Sequence, residues 1–393
     1  MNKNLSVSSF TKRISGEGAA AWDIHLAANI AKEKGEDVII LSVGDPDFST
    51  PDSVVECAVD ALRSGDTHYA ATAGRTQLRD AIADDFSQRT GLATETDNVF
   101  VFAGTQNALF ATSLILLEHG DEVIALAPMY VSYEASLSLG GAKLVAVAQP
   151  AENDFRPNIS LIEQAITPAT KAIVITTPNN PTGVAMTKDE LQEIADLAIE
   201  HDLWVISDEV YTDIVFDDSH HSIAALPGMA ERTVTVNGLS KSHAMTGWRV
   251  GWTVAPKQLA EHYENLTLCM LYGIPGFIQT AALHALTKER EASLAMRDIY
   301  RQRRDLVCGE LAHAKKLKIL KPQAAMYVMA DVRGYGFSSA GFCRKLYDET
   351  GVSVLDAGAF GPSAEGWVRI SYTLGEDTLK TGCRRIVEFL ETL

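Results

Sequence analysis

Cysteine is scarce in this chain, with five in 393 residues. Cys57, Cys269, Cys308, Cys343 and Cys383 form no CxxC pair and are odd in number. That excludes a disulfide framework and a cysteine-based metal site, and points to thiols kept in a reducing compartment. Long apolar runs are missing too. The greasiest stretch, Leu109 to Leu117, is interrupted by Thr112 and Ser113 and falls well short of the roughly 20 residues a membrane span requires. The polar segment from Met1 to Trp22 contains no apolar signal core. Basic residues are outnumbered, 34 against 51 acidic, for a formal net charge of −17. Such a surface repels phosphate backbones and anionic lipid, although one local basic pocket for a small anion is compatible with it. No P-loop, no GxGxxG after a strand, no HExxH and no GxSxG occurs, which removes the main supports for several nucleotide, metal and hydrolase readings. The expectation is a soluble, cytoplasmic protein that binds neither nucleic acid nor membrane and holds no metal.

What is present is enough to build large cores. Apolar residues make up 46% and charged residues 22%, and the length favours two domains over one. No repeat or low-complexity tract is found. Ala20 to Lys34 reads as a helix leading to a short strand, Val38 to Val43, and a Gly-Asp-Pro-Asp turn. From about Asn98, short β-rich runs alternate with helical ones. The predicted strands are Val99–Ala103, Glu122–Ala127, Lys143–Ala148, Ala172–Thr176, Trp204–Ser207, Thr233–Val236 and Val250–Val254. Most are apolar throughout, as strands covered on both faces are. Thr187 with Glu190 forms a capping box opening a helix. The alternation predicts an α/β fold, a mostly parallel seven-stranded sheet flanked by helices. After about residue 290 a long helix, Glu291 to Ala314, precedes a strand pair near Met326–Asp331 and Val368–Tyr372, and a last helix from about Glu376 to Leu393. This predicts a smaller α+β domain over 291–393, a large domain over 51–290, and an arm over 1–50 that joins the smaller domain.

In open α/β sheets ligands bind beyond the carboxyl ends of the strands. Gly104-Thr105-Gln106-Asn107 follows the first strand and opens a helix, where free N–H groups and the helix dipole suit an anion; an ordinary helix cap reads the same way. Asn180 follows the fourth strand inside a proline-rich turn. Asp208-Glu209-Val210-Tyr211 follows the fifth, and a carboxylate there needs a partner or a cap to fill. Ser240-Lys241 follows the sixth, hemmed in by small residues, although most lysines are solvated. Arg249 stands just before the seventh. Singly each is ambiguous. Together they suit one chemistry: a phosphate cradle, an amine for an aldehyde, and an acid for a protonated heterocyclic nitrogen.

The string from Ser240 to Gly251, Ser-Lys-Ser-His-Ala-Met-Thr-Gly-Trp-Arg-Val-Gly, resembles the lysine signature of class I/II aminotransferases, which use pyridoxal 5'-phosphate. Asn180-Pro181-Thr182-Gly183, Asp208-Glu209-Val210-Tyr211 and Trp367-Val368-Arg369-Ile370-Ser371-Tyr372 resemble three further motifs of that family, in its order. The resemblance implies the fold type I architecture of these transferases and a homodimer with shared active sites. It implies that Lys241 carries the cofactor as a Schiff base and moves the substrate proton, and that Asp208 pairs with the pyridine nitrogen. Tyr211 and Asn180 would reach the ring's phenolic oxygen. Gly104, Thr105, Gln106, Ser240 and Arg249 would hold the phosphate, Tyr130 would stack on the ring, and Tyr69 would reach the neighbouring subunit's phosphate. Arg369 would grip the substrate α-carboxylate in a bidentate fork, with the Gly44 backbone close by.

Two further stretches, Gly18 to His25 and Glu264 to Gly273, look like those of bacterial arginine–pyruvate transaminases. Gln106 stands where one aspartate-specific subgroup has a lysine, which argues against a dicarboxylate substrate. A guanidinium substrate would want a carboxylate and an aromatic face, for which Asp23 and Trp22 are candidates. The expected activity is transfer of an amino group from L-arginine to pyruvate. An aspartate-type or broad-specificity aminotransferase and a pyridoxal-phosphate β-lyase are the alternatives. A non-catalytic sensor of the same fold is disfavoured by the intact Lys241, Asp208 and Arg369.

Overall fold

The computed structural model describes residues 7–8, 21–217 and 219–393. The first three residues of the Gly18–His25 stretch, Ala20 at the predicted start of the first helix, and most of the polar N-terminal segment lie outside the described residues. Among the described residues thirteen strands occur in chain order: β1 (Ile39–Ile40), β2 (Val99–Phe102), β3 (Glu122–Ala127), β4 (Lys143–Ala148), β5 (Thr170–Thr176), β6 (Trp204–Asp208), β7 (Thr233–Gly238), β8 (Gly251–Val254), β9 (Lys318–Leu320), β10 (Tyr327–Asp331), β11 (Val352–Ser353), β12 (Leu355–Asp356) and β13 (Trp367–Ser371).

Seven of them form one sheet in the order β2-β8-β7-β6-β5-β3-β4. Every pair in it is parallel except those of β8, which runs antiparallel to both β7 and β2. The sequence predicted this sheet and its strands to within a few residues. The solid apolar runs have a direct cause. Ala172 and Val174 on one face pack with Ala108, Leu109 and Leu116 of the helix Thr105–Leu116. Ile173 and Ile175 on the other pack with Leu191 and Ile194 of the helix Lys188–Glu200. Both faces are therefore dry, and side chains alternating across the pleat must all be apolar. β4 lies at the edge, and its Lys143 and Ala146 are correspondingly exposed. Thr187 accepts from the Glu190 amide while Glu190 accepts from the Thr187 amide, so the predicted capping box opens that second helix.

A second, four-stranded antiparallel sheet has the order β12-β13-β10-β9. Its central pair, β10 with β13, was predicted; the short flanking strands β9 and β12 were not. The predicted strand Val38–Val43 shrinks to Ile39–Ile40, which pairs in parallel with β11. Its continuation is still bonded, since Leu41 donates to the Ser353 carbonyl and accepts from the Ser371 amide. The N-terminal segment is thereby stitched to the part of the chain that carries β13. The long helix after residue 290 spans Arg290–Leu311 and packs on the last helix, Glu376–Glu391.

Candidate active site

One cavity of about 320 Å³ opens where the large sheet's carboxyl edge meets the small sheet. Helix and strand ends deliver its walls. β2 leads through the Gly104 turn to Thr105, β3 leads to Tyr130, β5 to Asn180, β6 to Asp208 and Tyr211, and β7 to Ser240 and Lys241. Because β8 is antiparallel, its amino end lies at this same edge, and that is how Arg249, which precedes the strand, arrives there. β13 of the small sheet contributes Arg369 and β10 contributes Tyr327. Trp22, Gly44, Thr105 and Gln106 complete the residues singled out from the sequence that line this space.

Arg369 is 1% exposed. One Nη donates to Asn180 Oδ1 at 2.8 Å and the other to the Ser42 carbonyl at 2.7 Å. Its guanidinium lies 4.2 Å from the centroid of the Tyr327 ring and 5.0 Å from that of Phe360. Its Nε has no partner, and among the described residues it makes no ion pair. A buried cation without an anion is costly to hold, so this end of the cavity favours a carboxylate.

Asp208 presents the converse at the floor. It accepts from the Tyr133 hydroxyl at 2.6 Å and from the Val210 amide at 3.2 Å, and makes no ion pair among the described residues. Burial pushes its carboxyl above the usual range, against the pull of those two donors. This end favours a cation. Tyr133 also bonds Thr176 at 2.9 Å, and burial holds its phenol well above the usual range.

Between them, Lys241 Nζ donates to the Gly44 carbonyl at 2.7 Å. The Tyr211 hydroxyl bonds that of Tyr327 at 3.0 Å, and burial first, then Tyr327, raises the Tyr211 phenol well above its usual value. At the Gly104 turn, φ is +87° and a Cβ would come within 2.5 Å of Arg249 Nη2. Glycine lets the guanidinium lie over the bare backbone there. Arg249 is itself in the left-handed region, held by its bond to the Thr246 carbonyl at 2.8 Å. The Thr105 and Gln106 amides, first in their helix, have no acceptor among the described residues. Amides, helix dipole and guanidinium together make a cradle for a dianion.

Three residues are placed differently from the rest. Asp23 lines a separate, wider depression beside Lys143 and Arg344, not the cavity that holds Lys241. It is the first residue of the helix Asp23–Glu33, one position past Trp22, and the turn of the chain carries it outward. Tyr69 is 85% exposed, its ring 4.9 Å from that of Tyr272 and outside its own chain's cavity. Gln106 does line the cavity, but its amide is engaged by Ser132 and Ser136 at 2.9 and 2.6 Å. Sequence reasoning missed Tyr133 and Tyr327. Tyr133 stands three residues after Tyr130 in the same motif. That spacing could have flagged Tyr133, whereas Tyr327 lies diagonally across the β10–β13 pair from Arg369, on the same face, a relation that only the strand register reveals.

The chain's residues 36–386 match the family model for aminotransferase class I and II. The chain belongs to the class I and II aminotransferases. It is 50% identical to the arginine–pyruvate transaminase of Pseudomonas aeruginosa over 97% of both chains. It is 40% identical to an aspartate aminotransferase of Pyrococcus abyssi, over 90% of this chain and 92% of that one. The crystal structure of the Thermus thermophilus aspartate aminotransferase with maleate superposes with a TM-score of 0.92 at 34% identity, covering 98% of this chain and 99% of that one.

Class I and II aminotransferases are pyridoxal-phosphate-dependent enzymes, and the unpaired groups of this cavity fit that cofactor. A dianionic phosphate suits the cradle at Gly104, Thr105 and Arg249. A protonated ring nitrogen suits the uncompensated Asp208. An aldehyde suits the Lys241 amine. In this aminotransferase Gly44 is irreplaceable for a steric reason: a Cβ there would fall inside the Tyr327 hydroxyl. Gly44→Ala is therefore expected to displace Tyr327 from Tyr211 and the Gly44 carbonyl from Lys241. The KM for the amino donor should rise at least about tenfold while the fold, followed by circular dichroism, is kept. Kinetics indistinguishable from the parent enzyme would refute that steric account.

Proposed function

We propose that this aminotransferase moves the amino group of L-arginine to pyruvate by a ping-pong mechanism, as a cytoplasmic homodimer with shared sites. The observation that carries the reading is the 50% identity over 97% of the chain to the Pseudomonas aeruginosa enzyme, against 40% for the aspartate and aromatic aminotransferase relatives. The cavity supports it. Its three cations, Lys241, Arg249 and Arg369, each have a task, and among the described residues no further cation lines it to receive the second carboxylate of aspartate. Among the described residues the one lining carboxylate besides Asp208 is Asp45, on the exposed rim. Trp22 supplies an aromatic wall, its indole edge-on to His25 with centroids 5.5 Å apart. A guanidinium can lie on such a face.

When bound, pyridoxal phosphate supplies a ring that accepts the electron pair left as the substrate Cα loses its proton. The chain does the rest. Arg369 holds the α-carboxylate and so fixes which Cα bond faces Lys241. The Lys241 amine, free once the substrate amine takes its place, would take the Cα proton and return it on the far side of the substrate nitrogen, at the carbon that had carried the aldehyde oxygen. Asp208, itself oriented by Tyr133, would keep the proton on the ring nitrogen. Tyr211 would donate to the phenolic oxygen, helped by Asn180, and Tyr130 would stack on the ring. Gly104, Thr105, Gln106, Ser240 and Arg249 would hold the phosphate, joined by Tyr69 of the partner subunit. Its exposure beside Tyr272 leaves it available for that role.

The test is a donor screen. Purified enzyme with pyridoxal phosphate and pyruvate should consume arginine with a kcat/KM at least about tenfold above that for aspartate. Turnover of aspartate with 2-oxoglutarate and none of arginine would remove the substrate assignment and leave the aminotransferase.

A further inference from the structure

We propose that Tyr327 is a positioning residue shared by both halves of the site, its hydroxyl orienting Tyr211 and its ring holding Arg369. This rests on the roles given above to Tyr211 and Arg369.

Three contacts converge on this one side chain, which is 2% exposed. Its hydroxyl bonds Tyr211 at 3.0 Å. Its ring lies 4.2 Å from the Arg369 guanidinium. Its hydroxyl also packs on Gly44 so closely that no side chain fits there, while the Gly44 carbonyl accepts from Lys241. The pleat explains the convergence. Tyr327 pairs with Ser371 and Met329 with Arg369, so Tyr327 and Arg369 are diagonal neighbours on the face turned to the cavity.

The direction of the tyrosine pair follows from what Tyr211 must do. A phenol has one proton. If Tyr211 spends it on the cofactor's phenolic oxygen, its own oxygen must accept from Tyr327. A phenol that accepts a hydrogen bond becomes a stronger donor. Tyr327 thus strengthens the hydrogen bond that competes with the proton on the Lys241-bound nitrogen. At the other end, the guanidinium lies 4.2 Å from the Tyr327 ring centroid and 5.0 Å from that of Phe360, and its two bonds to Asn180 and Ser42 fix its orientation. Only a planar group held flat offers a carboxylate two parallel donors.

Two variants separate the functions. Tyr327→Phe keeps the ring and removes the hydroxyl. Its lysine-bound cofactor, titrated by absorbance, should bind its proton at least about threefold more tightly than in the parent. Affinity for the desamino analogue of the best amino donor should change by less than about twofold. Tyr327→Leu removes the ring, and its dissociation constant for that analogue should rise about fivefold or more. Tyr211→Phe and Arg369→Ala serve as references, and circular dichroism reports folding. A Tyr327→Phe titration equal to the parent's, where Tyr211→Phe moves it, would overturn the proposal, and so would analogue binding unchanged in folded Tyr327→Leu where Arg369→Ala loses it. If Tyr327→Leu does not fold, the phenylalanine titration decides alone. A titration unmoved by Tyr211→Phe would instead sink the underlying role of Tyr211, and Tyr327's with it.

Discussion

Lys241→Ala is expected to abolish transamination, lowering the rate of the amino-donor half-reaction by at least about 10⁴-fold. Among the described residues Lys241 is the one amine that lines the cavity. Alanine leaves no group to join the aldehyde and none to carry a proton at Cα. The neighbouring side chains are poor substitutes. Tyr130, Tyr133 and Tyr211 are phenols whose acidity burial suppresses, so none supplies a base near neutral pH. Asp208 lies on the floor, engaged by Tyr133 and the Val210 amide. The substitution should leave the fold intact, since the only bond Lys241 makes within the described residues is to the Gly44 carbonyl at the cavity wall, where water can replace it.

Two measurements check this. Borohydride treatment of the parent should fix the cofactor to the peptide that contains Lys241, and the alanine variant should release all of it. Single-turnover absorbance with arginine should show no conversion in the variant, with partial recovery on addition of a small primary amine. Turnover within tenfold of the parent, or cofactor fixed to another lysine, would contradict the role assigned to Lys241.

Much of the fold and part of the site could be read from the chain because their signals are local. The centres of β5, β6 and β7 hold only apolar side chains and small serines and threonines because both their faces are covered, and the polar group at or just past the end of each run is the group that reaches the cavity. Thr187 and Glu190 cap their helix through bonds three residues apart. What could not be read depends on pairing between distant segments. Nothing in Val250 to Val254 says that β8 runs against its neighbours, yet that reversal brings Arg249 to the phosphate cradle. β9 and β12, of three and two residues, exist only because β10 and β13 offer them an edge. Asp23 follows Trp22 immediately, but on a helix successive side chains diverge by about 100°, and only Trp22 faces the cavity. Tyr327 sits in a run that reads as core, and it is core; its role comes from the register that sets it diagonally from Arg369.

Asp208→Asn is expected to split stability from activity. The asparagine Oδ1 can still accept from the Val210 amide, and its Nδ2, standing where Asp208 has Oδ2, can donate to the Tyr133 hydroxyl, which then turns its own proton to Thr176, so local structure is retained. The change removes a half-buried charge that no cation of the described residues offsets. The cofactor-free variant should therefore be more stable than the parent at pH 7, by roughly 1–3 kcal/mol in urea unfolding. The pH dependence has a definite sign. Burial raises the Asp208 carboxyl above its unfolded value, so the folded parent holds that proton more tightly. Its stability relative to the variant is intact at pH below the ordinary aspartate range and declines as pH rises through the raised value. The two proteins should converge in acid and separate towards neutrality. Activity should move the other way. An amide does not hold a proton on the ring nitrogen, the ring becomes a weaker electron acceptor, and loss of the Cα proton should slow by about 10³-fold or more. A variant that is both less stable without cofactor at pH 7 and fully active would show that Asp208 is a structural cap, with its charge compensated by some other group.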